Sequence, residues 1–242
     1  METMGNSKPA IEANKTYRIE HLPGLDVVEN LNYPNQEDQD VILKILRNNR
    51  LGEGSYMGDL LLKIFSIRDS VGYKCFYVKI KRESKKQVDF RKGRATRDPI
   101  NFNLRHDFDK KARYALVGVL NEIILARKIK EIITLSAVQK LAKQHGFAGM
   151  KFSEPIFALV DRKNSSKYLI YRNMVSIDEP KNCVWEILVK DLRKIFLQNG
   201  IYPHDLKSNQ FMVVEQDGEP CVVLIDTEAY TEVNKPPHNF FS

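Results

Sequence analysis

Asp205, Lys207, Asn209, Gln210 and Asp226 lie close together in residues 201–230 of this 242-residue chain. Two carboxylates, an ammonium and two amides suit a divalent metal holding phosphate oxygens, because carboxylate and amide oxygens are the hard ligands magnesium accepts. The apolar runs 211–214 and 222–225 have strand length and strand composition, and Asp217-Gly218 between them signals a hairpin. The connection is expected to be longer than two residues. Folding this ribbon brings Asn209 and Gln210, at the start of its first strand, across from Asp226 at the end of the second. Asp205 and Lys207 lie in the loop just upstream.

Asp205-Leu206-Lys207, an amide shortly after, and a strand pair ending in Asp226 resemble the catalytic core of the protein-kinase superfamily, whose pattern is H-R-D-x-K-x-x-N followed by D-F-G. The run 192–226 is similar to the small, atypical bacterial kinases of the YrbL-like group. The resemblance implies Asp205 as the group that orients the attacking hydroxyl and accepts its proton. It implies Lys207 as the neutraliser of charge on the moving phosphoryl group. Asp226 would be a magnesium ligand, with Gln210 or Asn209 as the second. Counting from Asp205 places Gln210 at the family's amide position and Asn209 one residue early. His204 stands where the family has arginine, and a hydrogen-bonded or packed histidine is expected there. Asp226-Thr227-Glu228 stands for D-F-G.

The upstream parts follow the same frame. Gly52, Gly54 and Gly58 in residues 51–58 resemble the glycine-rich loop whose backbone amides cover nucleotide phosphates, with Gly52 and Gly54 as the roof and the third glycine one residue late. Two strands are expected to follow. Residues 73–82 alternate as a strand, with Tyr77, Lys79 and Lys81 on one face and Phe76, Val78 and Ile80 on the other. It resembles the strand carrying the phosphate-binding lysine, which is Lys79 or, in the other frame, Lys81. Leu116, Leu120, Ile123, Ile124, Ile129 and Ile132 give a helix over 112–133. On it, Glu122 resembles the glutamate that pairs with that lysine; its other reading is a partner for basic residues of its own helix. Ser136 with Gln139 reads as a capping box for a helix over 137–144, stopped by Gly146. Residues 155–160 and 168–171 read as a hairpin, with 171–174 at the position of the kinase hinge. A last helix is expected over 184–198, stopped at Gly200, with Trp185 in the core.

The resemblance therefore implies an α+β, protein-kinase-like two-lobed fold, with an antiparallel-sheet N-lobe and a strongly truncated helical C-lobe. Residues 1–48 are expected to be an irregular N-terminal extension with one short helix from residue 38. The N-lobe covers 49–174, with a basic insertion at 83–110, and the minimal C-lobe covers 175–242. Sixteen residues follow Asp226, too few for an activation segment and a peptide-docking helical platform. The implied cofactors are ATP and Mg2+, and the implied activity is transfer of the γ-phosphate to a hydroxyl of an unidentified substrate, a protein being one candidate. Two other classes stay open: a kinase-shaped binding module without turnover, and a basic adaptor.

Composition frames these alternatives. Hydrophobic residues make up 43% of the chain, enough for a sizeable core, and no apolar run has the length of a membrane span. Three widely spaced cysteines suggest neither a disulfide framework nor a zinc site. A reducing compartment, the cytoplasm, is the expectation, and delivery into another cell is compatible with it. The net charge of +7 is concentrated from Lys79 to Arg113. Such a segment suits an acidic protein or an anionic membrane, or is simply a solvated loop; nucleic acid is less favoured because aromatic side chains for base stacking are few there.

Overall fold

The computed structural model describes residues 11–13, 16–49, 57–69, 72–81, 110–164, 166–181, 183–226 and 230–232. It is a mixed α+β protein with mainly antiparallel sheets. The chain divides into two compact units. One takes the chain up to Ile123 together with Pro155–Arg172, and the other takes Ile124–Glu154 together with the chain from Asn173.

The first unit is built on a six-stranded antiparallel sheet. Its strands are β1 (Ile11–Ala13), β2 (Tyr17–Leu22), β3 (Leu25–Asn30), β6 (Phe76–Lys81), β8 (Phe157–Asp161) and β9 (Ser166–Arg172), in the order β1-β2-β3-β8-β9-β6. A separate two-stranded hairpin joins β4 (Ile67–Asp69) to β5 (Gly72–Lys74). Leu25, Val27, Phe157, Leu159, Ile170 and Phe76 form one apolar face. It packs with Ile42 and Leu46 of α1 (Gln36–Asn48) and with Leu60, Leu61 and Ile64 of α2 (Met57–Phe65). Ile19, Val28, Ala158 and Leu169 alternate onto the other face and are equally buried, so the sheet is covered on both sides. Asn35 caps α1, its side chain accepting from the Asp38 amide at 3.1 Å.

Two expectations are corrected here. Residues 17–30, expected to be irregular, form the β2–β3 hairpin in the interior of the sheet, and Gly24 at φ 74° makes its turn. The charges that disguise the pattern are paired in the fold. Arg47 holds Glu20 through two nitrogens (2.7–3.1 Å), Arg18 pairs with Glu29, and Asp26 receives His21 at 2.8 Å and Arg162 at 3.3 Å. Secondly, the segment after the glycines is a helix, α2, rather than a strand. Leu60, Leu61 and Ile64 recur at helical spacing, and Gly58 lies within its first turn.

The second unit is centred on α5 (Trp185–Gln198), whose Leu188, Leu192 and Phe196 are fully buried. They pack among Ile129, Ile132 and Ile133 of α3 (Lys110–Ile133) and Val138 and Ala142 of α4 (Ser136–Gln144). Gly146 and Gly200, at φ 82° and 76°, follow α4 and α5, as their stop signals require. The sheets of this unit are β11 (Phe211–Gln216), β12 (Glu219–Leu224) and β7 (Met150–Phe152) in the order β11-β12-β7, and the pair β10 (Ile201–Pro203) with β13 (Tyr230–Glu232).

The capping box expected at Ser136 does not form. Leu135 precedes the helix and gives no side-chain cap. Gln139 instead ties α4 to β7: its Nε2 donates to the carbonyls of Ile133 (2.7 Å) and Met150 (2.8 Å), while its Oε1 accepts from the Met150 amide (3.1 Å). Gln139→Ala would leave all three backbone groups unsatisfied and is expected to cost about 1–3 kcal/mol, read from the urea midpoint. A change below about 0.5 kcal/mol, the range of ordinary surface substitutions, would show that the bridge carries no stability.

Candidate functional site

The hairpin β11–β12 pairs Phe211 with Leu224 and Gln216 with Glu219, so Asp217 and Gly218 are its entire loop. Both have positive φ (53° and 81°), the signature of a type I′ turn. The connection is thus two residues, shorter than expected. Because no residue is lost to a longer loop, the open end of the hairpin lines up Gln210 with Ile225, whose amide donates to the Gln210 carbonyl at 2.9 Å. Asp226 follows directly and is half-buried.

Ser208–Gln210 form a single 3-10 turn that decides how the two amides face. Asn209 is exposed, whereas Gln210 is buried and its Oε1 has no hydrogen-bond partner. Asp205 and Lys207 are both exposed and pair with each other, Nζ to Oδ1 at 2.5 Å. Leu206 between them is buried, and Arg193 of α5 donates to its carbonyl at 3.1 Å. The helix therefore anchors the loop that carries the acid. His204 is exposed, with Nε2 3.0 Å from the Thr231 hydroxyl and its ring edge-on to Tyr202 at 4.4 Å. This is the hydrogen-bonded role expected of it.

Sequence reasoning missed Tyr230. It opens β13 opposite Pro203 of β10, is 2% exposed, and rests edge-on against Phe196 at 5.3 Å. Its hydroxyl has no hydrogen-bond partner. Burial pushes its phenol up, the charges of Asp226 and Asp205 add to that, and Arg193 pulls the other way. A tyrosine in a three-residue strand carries no local signal of this; only the β10–β13 pairing creates it.

The raised phenol has a stability consequence. The folded protein holds this proton more tightly than an unfolded tyrosine, so the contribution is intact below about pH 10. It is lost as the pH rises beyond that value. Urea midpoints of the wild type and Tyr230→Phe are expected to diverge between about pH 8 and about pH 10.5, with the wild type losing more. Parallel pH curves would remove the assignment.

An open cavity of about 550 Å3 lies beside the same hairpin, lined by Ser176, Ile177, Asp178, Glu179, Phe211, Met212 and Val213. The Ile177 amide donates to the Val213 carbonyl at 2.8 Å. Trp185 donates to Glu179 at 2.6 Å and stands between Phe147 and Phe211, with centroids at 5.9 and 5.5 Å. That supports a core role for Trp185.

The remaining candidates belong to the first unit. Lys79, half-buried on β6, lies opposite Leu169 of β9, and Glu122 is half-buried on α3. Lys81 ends β6 opposite Lys167, and its side chain is outside the described residues. Lys167, another residue that sequence reasoning passed over, is 1% exposed and shares the sheet face of Lys79. Gly52, Gly54, Thr227, Glu228 and nearly all of the basic insertion lie outside the described residues. So does the N-terminal part of residues 1–48 before Ile11.

Among the described residues, no three His, Cys, Asp or Glu side chains gather as a metal-ligand cluster. A divalent ion here would draw on Asp226, the buried Gln210 oxygen, and oxygens of a bound phosphate or water. A sparse set of this kind fits magnesium, which keeps several waters and binds through one or two carboxylates plus substrate phosphates. Among the described residues, no helix is long and apolar enough to cross a membrane. No protein-family model, no curated protein and no solved structure matches this chain.

Proposed function

We propose that the protein is an ATP- and magnesium-dependent phosphotransferase of protein-kinase-like architecture, transferring the γ-phosphate to a substrate hydroxyl. The observation that carries this reading is the pairing at the open end of β11–β12. It joins the Gln210 main chain to Ile225, with Asp226 next in sequence, downstream of the Asp205–Lys207 loop, and the Gln210 side-chain oxygen is buried without a partner. The order of elements in the first unit supports it: a strand with Lys79, a helix with Glu122, then a hairpin whose β9 pairs with the lysine strand.

In this reading Asp205, exposed at the loop tip, orients the attacking hydroxyl and takes its proton as the oxygen–phosphorus bond forms and ADP leaves. Lys207, already beside that carboxylate, offsets charge on the transferring group. Gln210 and Asp226 would hold a magnesium ion, which would supply charge neutralisation on the phosphate oxygens. Asn209, exposed beside them, is the alternative ligand. The cavity lined by Ser176–Glu179 and Phe211–Val213 receives the base and ribose, with Met212 offering an apolar surface and Asp178 a carboxylate for hydroxyls. Positioning and charge stabilisation carry the rate, since little covalent work falls to the protein.

The test is transfer of labelled phosphate from ATP to the protein itself or to a generic acceptor, with magnesium or manganese, for the wild type and Asp205→Asn. Transfer that is present in the wild type and lost in Asp205→Asn is expected. Undiminished transfer in the variant rejects the assignment of Asp205. A thermal shift with nucleotide and metal but no transfer favours the binding-module reading.

A further inference from the structure

Four large apolar side chains of the second unit stay at its surface between residues 175 and 187: Val175 is 79% exposed, Ile177 38%, Val184 47% and Ile187 51%. Exposed apolar residues scattered singly are ordinary, whereas a cluster of them marks an interaction site. Contacts within the fold hold these four to one surface. The Ile177 amide fastens the 175–179 stretch to the Val213 carbonyl of β11 at 2.8 Å. The Trp185 indole donates to Glu179 of that stretch at 2.6 Å, and its ring lies against Phe211 of β11 at 5.5 Å. Val184 and Ile187 flank this tryptophan, three residues apart where α5 begins, so their side chains are neighbours.

The charge around this surface is the reverse of the chain's. The protein carries +7 overall. Residues 175–187 and 211–220 carry the exposed carboxylates of Asp178, Glu179, Glu186, Glu215, Asp217 and Glu219, against one ammonium, that of Lys181. Such a border repels nucleic acid and anionic lipid and attracts cations. An apolar centre inside a charged border is how protein interfaces are built, and complementary charge selects the partner. We propose that this face of the second unit is a docking surface for a protein partner, engaging a segment that combines apolar side chains with lysines or arginines. The apolar side chains of that segment cover Val175, Val184 and Ile187, and its cations meet the surrounding carboxylates. These three residues lie outside the lining of the cavity assigned above to the base and ribose. The docking surface therefore goes beyond the phosphotransferase reading and stands without it.

The probe is a fluorescein-labelled amphipathic peptide of leucine and lysine, titrated by fluorescence anisotropy into the full chain without nucleotide or metal. Its counterpart carries glutamate in place of lysine. The lysine peptide is expected to bind at least about 10-fold more tightly than the glutamate peptide, because like charges across an interface are costly. The double variant Val184→Ser/Ile187→Ser is expected to bind it about 10-fold more weakly, from the apolar area lost. Val175→Ser, in no helix or strand, should weaken binding about 3-fold. Leu135→Ser removes an exposed apolar side chain between α3 and α4 of the same unit and should leave the affinity unchanged. Melting temperatures of all three should fall by no more than about 2 °C; if the double variant falls further, Val175→Ser decides alone. Equal affinity for the two peptides overturns the proposal, as does undiminished binding in the Val184/Ile187 and Val175 variants. An equal loss in Leu135→Ser also overturns it, because the peptide is then not held at this face.

Discussion

Asp226→Asn is expected to lower phosphate transfer about 100-fold while leaving the protein folded. The size follows from what a ligand carboxylate contributes. Metal-assisted charge stabilisation is worth several kcal/mol in a transition state, and a loss of about 3 kcal/mol corresponds to roughly a 100-fold fall in rate. Asparagine keeps the shape and one oxygen, so the effect isolates the charge. Folding should be little affected because the side chain is only half-buried. Asparagine can keep much of the hydrogen bonding of the carboxylate, though more weakly. The melting temperature should therefore move by no more than about 4 °C, the shift that roughly 1 kcal/mol produces in a chain of this size. A fall in rate with an unchanged melting temperature is the pattern expected of a ligand. Transfer within twofold of the wild type would remove Asp226 from the site.

The separation between site and scaffold also explains what could be read from residues alone. The β11–β12 hairpin, the long α3, and α5 with its glycine stop were legible because each carries its signal within a few residues: apolar period, turn chemistry or a positive-φ glycine. The β2–β3 hairpin was not, although Pro23-Gly24 is a turn signal. Glu20, Asp26 and Glu29 interrupt its apolar alternation, and the cations that make their burial tolerable, such as Arg47 and Arg162, lie far along the chain. The helix α2 was hidden for a different reason, since three consecutive leucines fit a buried strand as well as a helix. At the site, residue types pointed to Asp205, Lys207 and Asp226, but whether Asn209 or Gln210 turns inward depends on a 3-10 turn that no spacing rule fixes. Tyr230 needed strand pairing to be seen at all.

α5 serves scaffold and site together, and Phe196 is where its truncation should be felt most. The side chain is fully buried among Leu188, Leu192 and the other apolar residues of the second unit, and its ring meets the edge of Tyr230. Truncating a buried phenylalanine to alanine costs about 3–5 kcal/mol, from lost transfer energy and the cavity left behind. Against a total stability of roughly 5–15 kcal/mol, that is a large share, and Phe196→Ala should melt about 10 °C lower. Ile187→Ala, on the same helix but half-exposed, is the control and should change stability by less than about 0.5 kcal/mol. Phe196→Leu tests the coupling to function. It restores most of the buried volume but not the flat surface that holds the Tyr230 ring. Stability should recover to within about 1.5 kcal/mol of the wild type, while phosphate transfer stays weakened. Full recovery of both would mean that α5 supports the fold without steering the site. The geometry argues otherwise, because the same helix also grips the Asp205 loop through Arg193 and the Leu206 carbonyl.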